Sequence, residues 1–117
     1  MIQEQYVSFE TARLLKEKGF IWQTEKYVGK ELPQLATFVQ ANNSAIDYYA
    51  CPSISIAMRW LREVHKLYIE IRRDFNTFLF KYYIYDDTRL EVFCDATINS
   101  YEDAAEQAIK YCLERMI

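Results

Sequence analysis

With 117 residues, 51% of them hydrophobic and 26% charged, the chain has the make-up of one ordinary globular domain spanning 1–117 and not of a disordered segment. A net charge of −3 argues against nucleic acid as the main partner, because phosphate binding is driven by concentrated Lys and Arg. The three cysteines, Cys51, Cys94 and Cys112, are an odd set without paired spacing, which speaks against a disulfide framework and for a reducing compartment. The sequence shows neither a secretory leader pattern nor an apolar window near the roughly 18 residues of a membrane span, so a cytoplasmic protein without a membrane partner is expected. The anomaly is aromatic: ten Tyr and seven Phe.

In chain order, Ser8 precedes Phe9, Ala12 and Leu15, with Glu10 in the first turn and Gly19 then Phe20 beyond the end, the pattern of a capped helix with a glycine stop. Residues 21–28 read as a short strand. Pro33 fits the first turn of a short helix sharing Leu35, Ala36 and Val39, which Asn42-Asn43-Ser44 breaks, and residues 45–51 read as another strand. Ser53 caps a helix to about Val64, with Ala57, Trp60, Leu61 and Val64 on one stripe and Arg59, Arg62 and Lys66 opposite.

The run Leu67-Tyr68-Ile69-Glu70-Ile71-Arg72 alternates as a strand. A turn at 74–77 leads into Phe78-Leu79-Phe80-Lys81-Tyr82-Tyr83-Ile84-Tyr85, a strand that carries aromatics on both faces: Phe78, Phe80, Tyr82 and Ile84 on one, Leu79, Lys81, Tyr83 and Tyr85 on the other. Asp86-Asp87-Thr88 turns the chain again into residues 89–96, where Leu90, Val92 and Cys94 share a face. Ser100 with Asp103 three positions on opens a last helix whose stripe is Ala104, Ala105, Ala108, Ile109, Cys112, Leu113 and Met116.

The expected fold is α+β: an antiparallel meander of three or more strands with helices packed on one face, the C-terminal half in α-β-β-β-α order. Leu67, Ile69, Ile71, Leu90, Val92 and Cys94 make the covered face. The opposite face presents Tyr68, Arg72, Lys81, Tyr83, Tyr85 and Phe93, and residues 1–50 or a partner must cover it.

No residue set supports catalysis. Cys51 precedes a helix N-terminus that favours a thiolate, but the single histidine, His65, stands at the far end of that helix, about 20 Å away. The bland readings are an apolar cysteine and an imidazole at a helix C-terminus. Three Cys and one His match a zinc ligand count without any short Cys-x-x-Cys pair, so no metal site is expected. Asp86-Asp87 and Glu102-Asp103 sit where turns and helix starts favour acids, and two glycines provide no phosphate loop. The basic set Arg59, Arg62, Lys66, Arg72 and Arg73 reads first as a solvated face, helped by Glu63 four residues after Arg59.

The helix, three-strand, helix order over 53–116, with its alanine-rich last helix, resembles the double-stranded-RNA-binding domain. Where that family places phosphate-gripping lysines, this chain has Ser100-Tyr101-Glu102-Asp103, so the resemblance implies the shape and not RNA binding. Val7-Ser8-Phe9-Glu10-Thr11-Ala12, Lys18-Gly19-Phe20, Ala50-Cys51-Pro52-Ser53, Ala57-Met58-Arg59-Trp60-Leu61-Arg62-Glu63-Val64-His65, Ser100-Tyr101-Glu102-Asp103-Ala104 and Ala108-Ile109-Lys110-Tyr111-Cys112-Leu113 are similar to segments of short proteins of gut anaerobes and their phages. That resemblance implies a phage or mobile-element accessory protein and names no substrate. The expected function is a non-enzymatic protein-interaction or self-associating module, a homodimer being the natural form, that uses no cofactor and binds through Tyr68, Lys81, Tyr83, Tyr85 and Phe93. The alternative is a nucleic-acid-binding module using Arg59, Arg62, Lys66 and Arg72.

Overall fold

The structure, a computed structural model, describes residues 5–22, 24, 26–29, 35–37, 48–93 and 97–117, with the backbone alone for 26–29, 35–37, 48 and 90–93. These residues form a mixed α+β protein of three helices and antiparallel strands. By internal contacts the chain divides into Met1–Ile56 and Ala57–Ile117.

In the first unit, helix α1 (Phe9–Glu17) starts where Ser8 Oγ accepts the Thr11 amide at 3.2 Å and stops at Gly19, whose φ of +91° is the left-handed conformation glycine tolerates. Thr11, Ala12, Leu14 and Leu15 form its buried stripe. Helix α1 packs on strand β3 (Tyr48–Ala50), where the Phe9 and Tyr49 rings meet edge to face at 5.6 Å. Strand β1 (Lys26–Gly29) lies between β3 and β2 (Leu35–Thr37), antiparallel to both, with Tyr27 opposite Ala36 and Ala50.

Two expectations change here. The strand read over 21–28 is confined to Lys26–Gly29, and Leu35–Thr37 is a strand instead of part of a helix. A segment that short gains little as an isolated helix, whereas pairing with β1 satisfies its backbone. Pro33, Val39, residues 42–47 and Cys94 lie outside the described residues.

Helix α2 (Ile54–Val64) is capped by Ser53, whose Oγ accepts from the Ile56 amide at 3.2 Å. Its stripe of Ile54, Ala57, Trp60 and Leu61 is buried, while Val64, expected on the same stripe, is 50% exposed because it sits in the last turn. Lys66 ends the helix with φ +57°, so it stands off the helix and not on one face with Arg59 and Arg62 as its spacing implies.

In the second unit, β4 (Tyr68–Arg73) pairs antiparallel with β5 (Phe80–Tyr85), and β5 pairs along its other edge with β6 (Leu90–Phe93), with an irregularity at Ile84 and Tyr85. The aromatic strand starts at Phe80 and not Phe78. Asp74 and Leu79 close the hairpin by an amide-to-carbonyl bond of 2.8 Å, and the Phe78 amide donates back to the Asp74 carbonyl at 2.9 Å, which forces Phe78 to φ +59°. Phe78 and Leu79 therefore belong to the turn and line neither strand face.

Helix α3 (Tyr101–Arg115) starts with Ser100 Oγ accepting the Asp103 amide at 3.1 Å and packs against β4 and β5. Ala104, Ala105, Ala108, Ile109, Cys112 and Leu113 are buried along one stripe, the alanines bringing the helix backbone close to the sheet, while Met116 is half-buried. Below them, Tyr82 and Ile84 of β5 are buried at 7% and 0% exposure.

Candidate functional site

The register of β4 on β5 sets Tyr68 opposite Tyr85, Glu70 opposite Tyr83 and Arg72 opposite Lys81. Side chains alternate along a strand, so these six share the face opposite Ile69, Ile71, Tyr82 and Ile84. Of the expected site residues, Tyr68, Arg72, Lys81, Tyr83 and Tyr85 are thus brought together; Phe93 stands opposite Tyr83 by its backbone register. Glu70 is a sixth member that the sequence reading passed over, although its place between Tyr68 and Arg72 in the alternation carried the signal.

Tyr83 is the centre. Its ring stacks on Tyr85 with centroids 6.2 Å apart and planes 24° off parallel, the Arg72 guanidinium lies 5.0 Å from its centroid and the Lys81 ammonium 5.7 Å. Arg72 Nε also donates to Glu70 Oε1, which holds the Glu70 carboxyl below its ordinary range and raises the guanidinium. At the other end of the pair the Tyr68 hydroxyl donates to Asp87 Oδ1 at 2.9 Å; that bond raises the Tyr68 pKa, with Arg62 acting weakly in the opposite direction. Tyr85 is raised first by desolvation, then by Glu70. All six side chains are half-buried except Arg72, which is exposed. The face offers aromatic area and fixed charge, and among its described side chains no nucleophile stands beside a base.

The members of the basic set of the alternative reading each have their own surroundings, Arg62 acting on Tyr68. Arg59 pairs with Glu63 at 3.0 Å, Lys66 Nζ donates to the Glu63 carbonyl at 3.1 Å, and Arg72 belongs to the tyrosine face.

The remaining candidates have structural explanations. Cys51 is buried, and its thiol donates to the Val7 carbonyl at 3.1 Å. Burial pushes the Cys112 thiol up to about 12, so it carries no thiolate near neutral pH. His65 follows the last turn of α2, its ring edge-on to Trp60 at 4.7 Å, and burial lowers its pKa. Among the described residues no group of three or more His, Cys, Asp or Glu stands together as a metal site, and no helix is long and apolar enough to cross a membrane.

A groove of about 400 Å³ lies along α3, lined by Tyr82, Gln107, Lys110, Tyr111, Glu114 and Arg115. Its lining holds one acid, Glu114, and two bases, Lys110 and Arg115. Compared with protein-family models, curated proteins and solved structures, the chain matches none.

Proposed function

We propose that this chain is a non-enzymatic interaction module, an antiparallel meander with helices on its inner face that binds protein through the outer face of β4 and β5. One observation carries the reading: Tyr83, Tyr85 and Tyr68 stand half-buried beside Arg72 on a face whose reverse side is core. Tyr and Arg are the residues enriched where protein surfaces meet, since each joins a large contact area to a directional polar tip. The likeness of the Trp-Leu-Arg-Glu-Val-His helix to phage-associated proteins favours an accessory role. Light scattering combined with an apolar-surface dye tests the reading. The expected result is dye binding or self-association that Tyr83→Ser reduces, and a monomer that binds no dye would sink it.

Nucleic acid is the second reading, favoured by the placement of both Arg72 and Lys81 over the Tyr83 ring, since base stacking on aromatics beside cations serves single strands. A labelled single-stranded oligonucleotide whose mobility is unchanged at low salt removes it.

A further inference from the structure

The outer face of the β4–β5 pair is polarised along its length. At the hairpin tip Arg72 and Lys81 face each other across the ladder. At the root, two register steps past the Glu70–Tyr83 level, Tyr68 faces Tyr85, and the Tyr68 hydroxyl holds Asp87, with Asp86 beside it in the turn. Four residues separate the two ends along β4, roughly 13 Å of strand. Of the charged side chains of this face, Arg72 and Lys81 stand toward the tip, Glu70 stands at the middle level paired with Arg72, and Asp87, held by Tyr68 with Arg62 nearby, stands at the root. Asp74 and Asp86 are both occupied in their turns: Asp74 Oδ1 accepts the Asn76 amide at 2.7 Å, and Asp86 Oδ1 accepts the Thr88 and Arg89 amides at 2.8 and 2.9 Å.

A surface that is basic at one end, acidic at the other and aromatic between them is complementary to itself when turned through a half rotation. Resting on the interaction reading above, we infer that the partner of this face is a second copy of the chain. The two hairpins lie antiparallel about a twofold axis through the Tyr83 level. Each then sets its own Arg72 and Lys81 over the Asp87 and Tyr68 of its mate, and the tyrosines meet at the axis. An isologous contact of this kind needs one patch that is its own complement. Desolvated tyrosines with paired charges around them are the anatomy of such interfaces. Steering by opposite charges selects the antiparallel arrangement, because a parallel one brings like charges together.

Sedimentation of the full chain over a dilution series tests this. The expected species has twice the 14.0 kDa chain mass and dissociates more readily as salt rises. Arg72→Glu with Lys81→Glu weakens association roughly 100-fold, as does Glu70→Lys with Asp87→Lys, and mixing the two double variants restores a heterodimer, because opposite charges again face each other. Circular dichroism equal to that of the parent protein shows that the variants fold. A dimer indifferent to both double variants, or a mixture that fails to associate, overturns the inference. So does a chain that stays monomeric at every concentration. If that monomer still binds an apolar-surface dye in a Tyr83-dependent way, only the self-partner is lost and another protein occupies the face. If it binds none, the interaction reading falls with it, and a monomer that shifts on adding a single-stranded oligonucleotide hands the face to nucleic acid.

Discussion

The two faces of β5 carry near-identical chemistry and meet opposite fates. Tyr82 and Ile84 point toward α3 and are buried, while Lys81, Tyr83 and Tyr85 point the other way and remain half-buried among fixed charges. A tyrosine on one side is core and its neighbour in sequence is surface. Aromatic content alone therefore does not tell the faces apart. What differs is the company: alanines and isoleucines below the strand, and Arg72, Glu70 and Lys81 above it.

The contrast is broken most directly by truncating each face. Ile84→Ala is expected to cost about 2–5 kcal/mol in chemical denaturation, since the cavity it leaves lies under a helix that cannot fully collapse onto it. Ser100→Ala, which removes the cap of the helix covering that inner face, is expected to cost about 1 kcal/mol by the same measurement. Phe78→Gly, which relieves the left-handed strain at the hairpin tip, should raise the unfolding free energy by about 1 kcal/mol. Tyr83→Ala is expected to cost about 1 kcal/mol, for its stacking on Tyr85 and the cations over its ring, while reducing association. A loss equal to that of Ile84→Ala would show that the outer face is core as well.

The smallest expected effect is on pH dependence. Burial depresses the His65 pKa below 6.5 in the folded chain, so the unfolded chain binds the proton more readily. The stability held by neutral His65 is complete above 6.5 and is lost as pH falls from there through the folded value. His65→Gln should remove that part of the slope in denaturation midpoints measured across this window.

How much of this was legible in the sequence depended on how local the deciding interaction was. Ser8, Ser53 and Ser100 cap their helices through bonds spanning three residues, and the stripe from Ala104 to Leu113 is buried as its spacing implies. The partners on the outer face followed from alternation once β4 and β5 were placed side by side. Leu35–Thr37 was misread because its state is decided by pairing with Lys26–Val28, about ten residues away, against a weak local pattern. Phe78 was misread because the strand-like run Phe-Leu-Phe hides a turn that needs a left-handed residue, a place where glycine is the usual signal. Lys66 misled in the same way, for a lysine at φ +57° ends a helix that spacing alone would extend.

The segment leading into α1 is tied to the start of α2 by three bonds: the Ile54 amide donates to the Gln5 carbonyl at 2.9 Å, the Val7 amide to the Pro52 carbonyl at 3.0 Å, and the Cys51 thiol to the Val7 carbonyl at 3.1 Å. Trimming the chain through Val7 would leave a carbonyl, an amide and a sulfur open to solvent at once. Cys51 thereby serves as a gauge of that tie. Its rate of alkylation, slow while the leading segment is docked, reports how often the segment lets go.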